Sequence, residues 1–169
     1  MRFYSFTNFM LSPIQQGIQP GHACVELFVK YGRIPPNSRG TEWKKNEMLY
    51  EWADEYKTYI CLNGGTSTTL RELWEFVDRP DVNPFPYSKF HEDEQSLDAV
   101  MTSIGIILPE RIYDTAAKLR SGEFWIDLVH IDAASIPVYS TLDDVDVETR
   151  LTQWEYKLIQ RLNACSMAK

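Results

Sequence analysis

Hydrophobic and polar positions follow two periods along this chain. From Arg2 to Phe9 (RFYSFTNF), large apolar residues alternate with polar ones, which predicts a first strand with Phe3, Tyr4, Phe6 and Phe9 available to a core. From Leu11 to Gly32 the period becomes helical, with Ile14, Ile18, Val25, Phe28 and Val29 at the spacing of one helix face. Ser12 can cap free backbone N–H groups and Pro13 suits the first helical position. Gly32 reads as a left-handed stop. Pro20 deletes one helical hydrogen bond, so either the helix kinks there, or a loop runs from Leu11 to Gln19 and the helix begins near Pro20. Both alternatives put His22 in or near a first turn, where the helix-end potential favours the neutral ring.

The same reading carries through the rest of the chain. Arg33 to Lys45 (RIPPNSRGTEWKK) is a predicted loop, because adjacent prolines, Asn37-Ser38 and Gly40 block regular structure. Asn46 to Tyr56 is a predicted helix with Met48, Leu49, Trp52 and Tyr56 as its apolar stripe. Lys57 to Asn63 is a β-run ended by Gly64-Gly65, and Thr66 or Ser67 caps a helix over about Thr69 to Val77. Three prolines make Arg79 to Tyr87 a loop or edge, with a short strand at Lys89 to His91 and an acidic turn after it. Met101 to Pro109 is the clearest buried strand, followed by a helix to about Leu119. Phe124 to Ile131 alternates like an edge strand, Ser135 to Tyr139 reads as a short return, and Thr141 to Ala164 is a predicted helix capped by Thr141. Together these predict an α/β fold: a mixed sheet of about four strands flanked by helices, with a C-terminal helical extension. The expected organisation is one domain over residues 1–169, with a core at 1–120 and a strand plus C-terminal helix at 121–169.

Composition narrows the function classes. Hydrophobic residues at 44% and aromatics at 13% argue for a packed core rather than disorder. A formal charge of −7 weighs against broad nucleic-acid binding, which needs clustered Lys and Arg, while leaving room for a local basic patch. Arg33, Arg39, Lys44 and Lys45 around Trp43 form one basic, aromatic segment, read as a solvated insertion or, functionally, as a phosphate-facing loop. Cys24, Cys61 and Cys165 stand far apart in no CxxC pair, so neither a disulfide framework nor a zinc site is predicted. No signal-like leader and no apolar run near membrane-spanning length is present, so the expected location is the cytoplasm, with no membrane partner.

Two further stretches carry candidate chemistry. In NGGTSTT, Gly64, Gly65 and Thr66 lead from a strand into a helix, which reads as an ordinary capped connection or as an anion site using backbone N–H groups. His91, Glu92, Asp93 and Asp98 are the densest set of acid–base groups, but alternation on a strand lets only some of them converge. They read as a hydrated acidic turn, and neither a metal nor a cofactor is predicted. Taken alone, His22 reads as a packing or hydrogen-bonding residue.

A strand, a short loop, and then a glutamine followed three residues later by His-Ala opening a helix resemble the start of the type 2 peptidyl-tRNA hydrolases, the archaeal and eukaryotic kind. Gln19 and His22-Ala23 match that spacing, and Gln15 stands where the family has lysine. The later order of polar loop, hydrophobic strand ending near Pro109, and helix is also similar, so the resemblance covers roughly Arg2 to Leu119. The family's aspartate and threonine loop has no clear counterpart among His91, Glu92, Asp93 and Gln95. The resemblance implies hydrolysis of the ester joining a peptide or amino acid to tRNA. It assigns His22, Gln19, Asp93 and His91 as catalytic candidates and Gln15 as a ligand-binding candidate, to which the anion-site reading of the glycine turn adds Gly64, Gly65 and Thr66. The general look also resembles small bacteriophage proteins. That gives the alternative: a non-catalytic protein, in the host cytoplasm, that sequesters a nucleotide-like ligand or blocks a host defence protein. The oligomeric state is left open.

Overall fold

The computed structural model describes residues 1–35, 40–95, 98–122 and 151–167 in full, and 96–97, 125–131 and 134–140 by their backbone. The chain divides into two compact units, Met1–Leu108 with Ser166–Lys169, and Pro109–Cys165.

The first unit is a mixed four-stranded sheet with helices on it, an α/β fold as the hydrophobic pattern predicts. β1 (Arg2–Thr7), β2 (Tyr59–Asn63), β3 (Tyr87–His91) and β4 (Met101–Leu108) lie in the order β2-β1-β4-β3. β1 runs parallel to β2 and antiparallel to β4, with Phe3 opposite both Tyr59 and Ile107. All eight residues of β4 are buried, which explains its unbroken apolar run. Gly105 is required there because a Cβ would meet the Phe3 ring at 2.6 Å. One apolar cluster joins Phe3 and Ile107 to Leu27 and Tyr31 of α1 (Pro13–Tyr31), to Leu49 of α2 (Thr41–Glu51), and to Trp52 in the π-helical turn Trp52–Tyr56. α3 (Ser67–Val77) buries Leu70, Leu73 and Val77, three of the four positions its spacing predicts, while Trp74 stays half-buried. α4 (Glu94–Leu97) is a single turn.

α1 departs from expectation in three ways. It is continuous through Pro20, so His22 lies in the third turn and not in a first turn. A full capping box makes this tolerable: Ser12 accepts from the Gln15 N–H and the Gln15 side chain accepts from the Ser12 N–H, so the helix is fixed before Pro20. Four of the five residues of the predicted apolar stripe also face outward, with Ile14 77%, Ile18 51%, Val25 59% and Val29 50% exposed, while Phe28 packs partly buried against the core. Ala23, Leu27 and Tyr31, with Gln19 and Pro20, form the buried face instead. Finally, Gly32 is right-handed (φ −66°), and glycine suits it because a Cβ would meet the Phe28 carbonyl oxygen at 2.6 Å. The predicted 33–45 loop is shorter than expected, since α2 already begins at Thr41. Residues 36–39 lie outside the described part of the chain.

In the second unit, α5 (Glu110–Ser121) ends at Gly122, whose φ of 77° is the left-handed conformation that glycine adopts without steric cost. β5 (Trp125–Ile131) and β6 (Ala134–Ser140) pair antiparallel as a sheet of their own. The C-terminal helix α6 spans Gln153–Ala164, with Thr152 and Glu155 as its capping box, so the predicted start at Thr141 is corrected. Thr152 is extended (φ −71°, ψ 158°) and stops any helix from running through it. Thr141 and the aspartates after it fall outside the described residues. Buried Glu155 also accepts a short hydrogen bond from Arg111, which ties α6 to α5.

Candidate functional site

The sheet direction brings the carboxyl ends of β1, β2 and β3 together beside the start of β4, the end at which α/β sheets tend to place ligands. Main-chain hydrogen bonds lock the turns leaving that edge. The Asn8 N–H donates to the Thr102 carbonyl at 3.0 Å, the Phe9 N–H to Gly65 at 3.0 Å, and the Gly64 N–H to Thr7 at 2.7 Å. β1 therefore delivers the chain directly to the capping box that starts α1.

Two turns into α1, Gln19 faces inward and is only 3% exposed. A buried primary amide needs partners at both ends, and it has them. Its Oε1 accepts from the Thr102 hydroxyl at 2.8 Å, and its Nε2 donates to a carboxylate oxygen of Glu92 in a short hydrogen bond. A helix residue thus links the residue that follows β3 to the second residue of β4, across the turn that joins the two strands. The ladder between β3 and β4 shifts register between Phe90 and His91, just ahead of Glu92. Such irregularities re-aim side chains beside sites. The Glu92–Val100 turn is closed by Glu92 N–H to Val100 O at 3.1 Å, and it contains two consecutive left-handed residues, Asp98 and Ala99. Glu92 keeps part of its surface in solvent, so its carboxylate is both held and reachable.

His22 is three residues beyond Gln19, on the same side of the helix. Its ring is exposed and stacks on Phe90, with centroids 4.4 Å apart and planes 16° apart. Ser88, two residues earlier on β3, donates to the Ala23 carbonyl at 2.5 Å, which fixes the helix against the strand. Gln19, His22, Glu92 and Thr102 are therefore held in one region by α1, β3 and β4.

The other expected residues are placed differently. His91 is exposed, and its Nδ1 is 2.8 Å from the Ala99 carbonyl, so the ring closes the acidic turn. Asp93 is exposed, and its carbonyl accepts from the Ala99 N–H at 3.3 Å. Gln15 is spent on the α1 cap, and Thr66 caps α3 through Thr69. Gly64 is packed so that a Cβ would meet Leu70 at 2.6 Å, and Gly65 has φ 80° with Thr69 against it. The NGGTSTT turn is thus a tightly packed, capped connection. Among the described residues, no group of three or more His, Cys, Asp or Glu is placed to hold a metal, and no helix is long and apolar enough to cross a membrane.

Sequence reading missed Thr102, whose signal was only a hydroxyl at the start of a buried strand. It saw Glu92 as one of several acidic residues without its partner. Compared with known proteins, the chain matches no family model and no curated protein.

Proposed function

We propose that this chain is a divergent hydrolase of the peptidyl-tRNA hydrolase type, cleaving an aminoacyl or peptidyl ester of a nucleotide-like carrier, with Glu92 as its acid–base group. The observation that carries this reading is the buried Thr102–Gln19–Glu92 relay, one helical turn from His22. In the step proposed, water adds to the ester carbonyl carbon as Glu92 takes its proton. The bond to the carrier's hydroxyl oxygen then breaks, and the proton passes to that oxygen. Gln19 is a positioning residue that aims the carboxylate, with Thr102 aiming Gln19. The open edge of the His22 ring offers a polar contact to the carbonyl oxygen. General acid–base groups contribute roughly 10²–10⁴-fold.

The test is ester cleavage of an N-blocked aminoacyl-tRNA by the purified chain beside a known hydrolase. Glu92→Gln is expected to lower kcat by about 10²-fold or more. Gln19→Ala is expected to lower kcat while leaving KM unchanged, as a positioning role requires. No cleavage by the unaltered chain, with the control active, overturns the reading.

A second reading is sequestration without turnover, of a nucleotide-like ligand or a host protein, as in a bacteriophage protein. It is favoured by the engagement of His91 with Ala99, which leaves the site without a second acid–base group in the relay. Native mass spectrometry of gently purified protein separates the two: a mass excess lost on denaturation supports sequestration.

A further inference from the structure

At the far end of α1, three lysines converge on one aromatic edge of the sheet. Lys30 Nζ is 3.7 Å from the Tyr87 ring centroid and 6.0 Å from that of Trp74. Lys45 Nζ is 5.0 Å from Tyr87 and 5.8 Å from Tyr31. Lys89 Nζ is 4.5 Å from Trp74. Each residue comes from a different element, α1, α2 and β3, so the fold and not local sequence assembles them. This is a concentration of positive charge in a chain whose formal net charge is −7.

These ammoniums are poorly supplied with acceptors. Each carries three donors. Lys30 has the Tyr87 carbonyl at 3.5 Å, Lys45 has Glu42 at 3.4 Å, and Lys89 has no hydrogen-bond acceptor among the described residues. Aromatic faces offset part of the cost of desolvation but accept no conventional hydrogen bond. Two carboxylates lie nearby and both are engaged: Asp78 accepts from the Tyr87 hydroxyl at 3.0 Å, and Glu42 holds Lys45. Lys45 is fully buried, and so is Tyr31, whose hydroxyl faces the main chain of Tyr87 without closing a hydrogen bond. A buried hydroxyl with no partner is a donor waiting for an acceptor, and its cost is otherwise unexplained. Burial, with Lys45 and Lys89 adding repulsion, also lowers the Lys30 pKa, a penalty that a bound anion would relieve.

We propose that Lys30, Lys45, Lys89 and Tyr31 form a binding site for a phosphate group. Lys30 and Lys89 reach solvent and meet the anion first. Lys45 and the Tyr31 hydroxyl are fully enclosed behind them and donate only once the entering anion displaces the packing over them. The site lies about 16 Å along α1 from Gln19, so it stands whether or not Glu92 cleaves esters. The phosphate comes either from a free mononucleotide or from a nucleic-acid strand.

The test is calorimetric titration of the full chain with inorganic phosphate, adenosine monophosphate and a short single-stranded oligoribonucleotide, at fixed ionic strength in chloride. At least one probe is expected to bind, and Lys30→Gln and Lys89→Gln are each expected to weaken it about tenfold or more, as for loss of a charge-assisted hydrogen bond. Tighter binding of the oligonucleotide than of the monophosphate assigns the source to a strand, and the reverse to a mononucleotide. Tyr31→Phe, which keeps the packing, is expected to weaken the same probe. Lys57→Gln, at an exposed lysine outside the cluster, is expected to leave binding unchanged, and the readout involves no ester cleavage, which separates failure here from failure of the hydrolase reading. No binding by any probe, or equal binding by the lysine variants and the unaltered chain, overturns the proposal.

Discussion

Tyr31 and Gln19 show how much a single buried polar group can reveal. Tyr31 hides a hydroxyl that no neighbour satisfies, and leaving such a group unpaired costs roughly 1–3 kcal/mol. Tyr31→Phe deletes that group and keeps the ring that packs with Phe3 and Leu27. In phosphate-free buffer the variant is expected to be more stable than the parent by about 1 kcal/mol, read from the urea midpoint. A less stable variant would mean that the hydroxyl is already satisfied. Gln19 carries the opposite lesson, because both ends of its amide are paired. Its place was legible from its spacing to His22. Its partners were not, since Glu92 and Thr102 lie 73 and 83 positions away and neighbour it only once β3 and β4 have joined the sheet.

At the scale of the element, the strands were read well and α1 was read on the wrong face. β4 and α3 each carry one apolar pattern, so pattern and burial coincide. α1 carries two. Ala23, Leu27 and Tyr31 recur every four residues, and so do Ile14 with Ile18 and Val25 with Val29. Periodicity cannot choose between two apolar faces on one helix, and the choice is made by the sheet, through the Ser88 bond to Ala23 and the packing of Leu27 on Phe3. Ile18→Lys is therefore expected to change stability by no more than about 0.5 kcal/mol, as for an ordinary surface position. Leu27→Ala is expected to cost about 2–5 kcal/mol through lost burial and the cavity left behind. Equilibrium urea unfolding of both variants checks this, and a large loss from Ile18→Lys would restore the outer stripe to the core. The C-terminal helix was mis-started for a related reason: Thr141 and Thr152 can each cap a helix, and the Glu155 that completes a capping box and meets Arg111 belongs to the second.

Over the whole molecule, the buried phenols set an upper limit of pH. Burial raises the pKa of Tyr31 and Tyr87 well above their ordinary value, with the Tyr87 hydroxyl further held protonated by its bond to Asp78. Tyr59, more exposed, is raised by partial burial, and the half-buried thiols of Cys24, Cys61 and Cys165 are raised in the same way. All these groups stay protonated in the folded chain at a pH where the unfolded chain has begun to lose protons. The stability linked to them is complete below the unfolded values, about 8.5 for thiols and 10 for phenols, and is lost as pH rises towards the folded ones. Lys30 works against this trend: its lowered pKa means that the folded chain holds fewer protons, so the stability linked to it rises with pH towards about 10.5. One lysine does not cancel two buried phenols, each contributing up to about 1.4 kcal/mol per pH unit above pH 10. Alkaline unfolding is therefore expected shortly above pH 10, with loss of helical circular dichroism coinciding with the last part of the rise in tyrosinate absorbance, the part due to the buried rings. Tyr31→Phe should move that transition to higher pH, because it removes the most strongly shifted phenol. If the tyrosinate absorbance of all nine tyrosines is reached while the helical signal persists, the buried phenols are reachable by solvent in the folded chain, and the buried edge that places Tyr31 beside Lys45 is not closed.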